Sequence, residues 1–187
     1  MVWQDFMFAN MQYPIDDDDF VASVNLEATK HARRLAGHPS TVVVCGGSEV
    51  EQQAAMMGAS PEVIDGHRLG TQVLRAIVEQ HAPGVAYVTN SPSGGHLPFS
   101  VSSGVAHYFG VGAYLRPLTD ARFSRVRFAS ECLAIANVPN GSAIDRMRDL
   151  GGTPTHTTVW KAGVPRDGGA GWDFDDVRDH YLESIFG

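Results

Sequence analysis

Cysteine is scarce in this chain. Its 187 residues include two, Cys45 and Cys132, with no C-x-x-C spacing and none of the density of a disulfide-built small domain, so both are expected as reduced thiols. Basic charge is also short: 14 Lys and Arg stand against 21 Asp and Glu, a formal net charge of −7. The dense positive face that a phosphate backbone requires is missing, which disfavours nucleic acid as a partner. No apolar run approaches the roughly 18 to 20 residues that cross a bilayer. Asp5 interrupts the N-terminus where a secretory leader needs unbroken apolar residues. Neither a membrane partner nor export is expected, and the cytoplasm is the default compartment. G-x-G-x-x-G and G-x-x-x-x-G-K-[ST] turns are absent, and the eight histidines, His107 and His156 among them, form no H-x-x-x-H or H-E-x-x-H pattern. No metal and no cofactor are implied.

What is present is enough apolar residue, 43%, for one sizeable core, so residues 1–187 are expected to form one domain or a piece of one. Asp16 to Asp19 precede a helical pattern in which Phe20, Val21, Val24, Ala28, Ala32 and Leu35 share a face. Lys30, Arg33 and Arg34 lie near its far end, with Gly37 beyond. Acids at the start and bases at the end both oppose the helix dipole, so the acidic run reads as a capped helix end. Thr41 to Cys45 is a β-branched run that reads as a strand buried on both faces. A second helix is expected over 66–81, a strand over 85–89 and a turn-rich loop over 90–98. Two further short strands are expected over 105–109 and 126–129, and a closing helix over 173–186. Short strands separated by helices or long connections predict an α/β fold with a parallel sheet, which a doubly wound sheet and a barrel satisfy equally.

In such folds the working residues project from the carboxyl ends of strands. Two acids stand there: Glu49, which follows Thr41–Cys45 through Gly46-Gly47-Ser48, and Glu131, which follows Val126–Ser130. Two carboxylates from different strand ends can divide labour at a glycosidic bond, one attacking the sugar while the other protonates the departing oxygen. A separation of about 5 to 5.5 Å corresponds to retention of configuration, and about 6.5 to 9.5 Å to inversion. Against this, Glu49 could be a helix-starting acid and Glu131 a member of a buried ion pair.

Trp3-Gln4-Asp5-Phe6-Met7-Phe8-Ala9, then His38-Pro39-Ser40 leading into Val42-Val43-Val44-Cys45-Gly46-Gly47-Ser48-Glu49, resembles the β-mannosidase branch of glycoside hydrolase family 2. Ser91-Pro92-Ser93-Gly94-Gly95, His107-Tyr108-Phe109-Gly110-Val111 and Arg127-Phe128-Ala129-Ser130-Glu131 resemble later blocks of that family in the same order, up to about residue 135. The resemblance implies a (β/α)8 TIM barrel and a retaining mechanism acting on a glycoside or oligosaccharide. Glu49 would be the acid/base after strand four and Glu131 the nucleophile after strand seven. Three departures stand out. Ser48 occupies the place of an Asn that usually contacts the sugar 2-hydroxyl, Cys132-Leu133 follows Glu131 where the family continues Phe-Gly, and Phe109 stands where the family often has Trp. A complete barrel takes about 250 residues, so the expectation is a partial barrel, about strands three to seven, with missing segments supplied by the rest of a longer parent chain.

Ser48, Tyr108, His107, Asp5 and Trp3 are the expected substrate-binding residues, Tyr108 through a hydroxyl that could also position the nucleophile. Glu51 reads as an opening-turn acid, Cys45 and Cys132 as packing residues, and Trp160 and Trp172 as either sugar-stacking platforms or buried anchors. The alternative to a glycosidase is a carbohydrate-binding remnant of a truncated barrel that no longer turns over.

Overall fold

The computed structural model describes residues 1–65, 67–134, 140–149, 157–163 and 172–187. His156 and the expected helix start at Gly66 lie outside them. Two compact units emerge, one of Met1–His107 with Val126–Ser130, the other of Tyr108–Arg125 with Glu131–Gly187. No helix among the described residues is long and apolar enough to cross a membrane.

The first unit is built on three parallel strands, β1 (Val2–Asp5), β2 (Thr41–Cys45) and β3 (Ala86–Val88), in that order. The pairing sets Asp5 beside Cys45 and Cys45 beside Val88, so all three strands end at one level. Parallel neighbours need a crossover, and helices supply both. The first is α1 (Asp18–Ala36). The second is a run of α2 (Val50–Met56), α3 (Pro61–Asp65), a π-helical segment (Leu69–Leu74) and α4 (Arg75–His81). The parallel α/β expectation is met, in a sheet of three strands that stays open.

Capping fixes where α1 begins. The Asp17 carboxylate accepts from the backbone N–H groups of Asp19 and Phe20 at 2.9 and 3.1 Å, and Asp18 and Asp19 occupy the first turn. Val24, Ala28 and Ala32 recur every four residues on the buried face. They pack into a core with Phe6, Phe8, Val44, Leu74, Ile77 and Val78. Strand β2 departs from its expected burial on both faces. Val42 and Val44 point the same way, yet Val42 is 39% exposed and Val44 fully buried, so the cover thickens toward the carboxyl end of the strand.

The second helix is not continuous. Its opening turns are π-helical because the Tyr87 hydroxyl donates to the Gly70 carbonyl at 2.7 Å and so enters the helical ladder. Gly70 itself is closely packed, since a Cβ there would lie 2.4 Å from His67 Cε1 and 2.9 Å from Thr89 O.

Two short strands, β4 (Ala106–Tyr108) and β5 (Ala129–Cys132), form a separate two-stranded sheet. The strand expected over 126–129 therefore starts three residues later, and Glu131 lies within it rather than after it. Arg127 and Phe128 serve other contacts: Arg127 N–H donates to Val101 O at 3.3 Å, and the Phe128 ring packs on Trp3 with centroids 5.5 Å apart.

The second unit holds α5 (Asp120–Phe123), α6 (Gly141–Asp149), α7 (Thr158–Gly163) and α8 (Phe174–Phe186). Asp173 and Asp176 form a capping box at the start of α8, where the sequence pattern places a helix end. Trp160 and Val177 are each 2% exposed, so Trp160 is a core anchor and not a sugar platform.

Candidate functional site

The pairing of the parallel strands does not stop where they end. Past β1 and β2, Phe6 N–H donates to Cys45 O, Ser48 N–H to Phe8 O, and Asn10 N–H to Ser48 O. Past β3, Ser91 N–H donates to Gly47 O at 2.9 Å and Glu49 N–H to Ser91 O at 2.6 Å. Three loops are thus laced together at the carboxyl edge, with Ser48 bridging Ala9 on one side and Ser91 on the other.

This lacing explains the paired glycines. A Cβ on Gly46 would stand 2.3 Å from the Tyr87 hydroxyl and 2.4 Å from Thr89 O, and one on Gly47 would stand 2.7 Å from Phe8 O. The chain can run between its neighbours only without side chains, and it then turns sharply at Glu49. Glu49 has φ 60° and ψ 8°, the left-handed conformation that a residue with a Cβ adopts rarely, and it forms the start of α2. Such strain persists where surrounding contacts over-determine it. Here the contacts are the Glu49 N–H bond to Ser91 and a side-chain bond to His107.

His107, on β4, is almost wholly buried, its side chain 2% exposed. Its Nδ1 lies 2.9 Å from Glu49 Oε1 and its Nε2 lies 2.8 Å from Ser91 Oγ. Ser91 Oγ in turn lies 2.5 Å from Ser130 Oγ. Four side chains from four chain segments are joined, and at one end Glu49, with its side chain 20% exposed, reaches solvent.

The remaining expected site residues are distributed as follows. Ser48 lies beside Glu49 as the bridging residue of the lace. Asp5 ends β1 and accepts from Trp3 Nε1 at 2.5 Å; burial pushes its carboxyl up, against the pull of the Trp3 bond and of nearby His107. Trp3 spends its indole N–H on Asp5 and its ring on Phe128. His107 turns both ring nitrogens into the protein, Nδ1 to Glu49 and Nε2 to Ser91. The Tyr108 hydroxyl donates to Asp120 at 2.6 Å and accepts from Val111 N–H at 3.2 Å. Glu131 lies in the second unit, partly exposed on β5, directly after Ser130.

Glu51 is more than a solvated opening-turn acid. It is 9% exposed, and its Oε1 faces His67 Nε2 at 3.2 Å. A cavity of about 620 Å³ opens beside Gly46 and Gly47, lined by Phe8, Tyr13, Val50, His67 and Leu69 among others; neither Glu49 nor His107 is part of its wall. Cys45 is fully buried and its thiol is pushed up to about 12, first by burial, so it is a packing residue and not a nucleophile. Sequence reasoning missed Ser91 and Ser130. The signal available was position: Ser91 opens the loop after a strand, and Ser130 directly precedes an acid at another.

No protein-family profile matches the chain. Curated relatives do. A β-mannosidase of Bos taurus is 33% identical over 150 residues, 70% of this chain and 16% of that protein. One of Mus musculus is 31% identical over 126 residues, 58% of this chain and 14% of that protein. β-Mannosidase A of Aspergillus clavatus is 27% identical over 112 residues, 56% of this chain and 12% of that protein. The chain thus spans about a sixth of the length of the curated relatives it matches. Among solved structures, the crystal structure of β-D-mannosidase from Dictyoglomus thermophilum superimposes with a TM-score of 0.64 at 26% identity, covering 99% of this chain and 24% of that one.

Proposed function

We infer, from the premise that this chain is a distant homologue of the β-mannosidases of glycoside hydrolase family 2, that residues 1–187 form part of a (β/α)8 catalytic barrel, about strands three to seven, that hydrolyses β-mannosidic or related β-glycosidic bonds with retention of configuration. Glu49 is the acid/base and Glu131 the nucleophile. In the first step a Glu131 oxygen bonds to the anomeric carbon as the bond to the aglycone oxygen breaks, and Glu49 gives its proton to that oxygen. In the second, Glu49 takes a proton from water, and the water oxygen displaces Glu131 to release the sugar.

The observation that carries this reading is the treatment of Glu49. A carboxylate that reaches solvent at the end of parallel strands, in a left-handed backbone conformation and bonded to a buried histidine, is an oriented acid rather than a helix cap. Its side chain makes no capping bond to α2. The test is a mechanism-based 2-deoxy-2-fluoro-β-mannosyl substrate incubated with the full chain and followed by peptide mapping. Covalent label on Glu131, together with release of the aglycone from an aryl β-mannoside, supports a retaining glycosidase. Saturable sugar binding with neither label nor hydrolysis would identify a carbohydrate-binding remnant instead.

A further inference from the structure

We propose that His107 and Ser91 are positioning residues, His107 binding one oxygen of Glu49 and Ser91 holding His107, and that the other oxygen, Oε2, is the one that exchanges a proton with substrate. The proposal rests on Glu49 being the acid/base.

The hydrogen-bond directions follow from counting protons along the chain of contacts. For Glu49 to act as a base it must be ionised, and Oε1 then offers only lone pairs. At 2.9 Å, His107 Nδ1 must supply the proton. A neutral imidazole with its proton on Nδ1 has a bare Nε2, so the Ser91 hydroxyl, 2.8 Å away, must donate to it. Ser91 Oγ is then free to accept, and the Ser130 hydroxyl at 2.5 Å is its donor. Among the described residues the Ser130 proton has one competing acceptor, the Ala106 carbonyl at 3.5 Å, a distance at which little hydrogen-bond strength is left.

Reversing the chain puts the His107 proton on Nε2 and leaves Nδ1 bare against Glu49. An ionised Glu49 would then face a lone pair, and a protonated one would spend its proton on His107 rather than on a leaving group. One orientation therefore serves both halves of a double displacement. Ser130 donates to Ser91, Ser91 to Nε2, and Nδ1 to Oε1, while only the proton on Oε2 comes and goes. Burial of His107 and Ser91 keeps water from scrambling these directions.

The direct test is the tautomer of His107 in the full chain, read from the ¹⁵N shifts of its ring at neutral pH. The expected result is a protonated Nδ1 and a bare Nε2, a tautomer that S91A should keep because the Glu49 carboxylate still faces Nδ1. An Nε2-protonated or doubly protonated ring in the parent chain overturns the proposal without recourse to any variant. Turnover supplies the second readout. S91A should lower kcat/KM on phenyl β-mannoside at least about tenfold more than on 2,4-dinitrophenyl β-mannoside, because a good leaving group needs little help from an acid. Equal losses on both substrates would make Ser91 merely structural. A parent chain with the expected tautomer and no hydrolysis would overturn the proposed function and leave the hydrogen-bond chain standing.

Discussion

Glu49 Oε1 and His107 Nδ1 meet at 2.9 Å although the residues are 58 positions apart, one following β2 and the other on β4. Neither makes this contact from flexible backbone. Glu49 is fixed by its N–H bond to Ser91 O, and His107 lies inside a strand, so the pair is set by the fold and not by side-chain search.

Removing the histidine should therefore damage orientation more than folding of the sheet. H107A is expected to lower kcat on phenyl β-mannoside by about 10²-fold, within the range that a positioned acid contributes. H107N, which can place an amide N–H near the position of Nδ1, should recover part of that loss. Steady-state kinetics of the two variants, with circular dichroism to verify the fold, check this.

The glycine at the end of β2 is a packing requirement. G46A would drive a methyl group into the Tyr87 hydroxyl and the Thr89 carbonyl, and the carbonyl belongs to backbone that cannot swing aside. A destabilisation of roughly 1 to 3 kcal/mol is expected, typical of overpacking. A lower urea midpoint with an unchanged m-value would show it.

The two thiols should behave oppositely. Cys132 is exposed and is expected to react with a thiol reagent in the native protein; Cys45 is fully buried, pushed up to about 12, and should react only on unfolding. The sign of the pH dependence follows. Below about pH 8.5, the ordinary value for a thiol, Cys45 is protonated folded and unfolded and contributes no slope. Above it the unfolded chain releases the proton first, so stability falls as pH rises toward 12. C45A should flatten that alkaline slope.

At the start of α1, D17A should cost about 1 kcal/mol by removing the acceptor for the Asp19 and Phe20 N–H groups. Thermal unfolding compared with the parent chain checks it.

How much of this was legible in the sequence depended on how local the cause was. Helix α1 announced itself because its cap, its first-turn acids and its Val24–Ala28–Ala32 stripe are all near neighbours. Strand β2 was equally plain from its β-branched run. The π-helical segment was invisible because it answers to Tyr87, 17 positions from Gly70. The start of β5 was misplaced because Phe128 is apolar for the sake of Trp3 and not for a strand. Glu49 was found from its place after a strand, but its partners were not. Contacts from His107 to Ser91 and from Ser91 to Ser130 span 16 and 39 positions and leave no local periodicity. The partners of the His107 and Tyr108 side chains are likewise ones that spacing does not reveal.

The most direct measurement is azide rescue of E49A. An acid/base variant should lose hydrolysis of phenyl β-mannoside, retain formation of a glycosyl-enzyme from 2,4-dinitrophenyl β-mannoside, and release β-mannosyl azide when azide is added. Phenyl β-mannoside hydrolysis at the parent rate, with no azide product, would contradict the assignment of Glu49 as the acid/base.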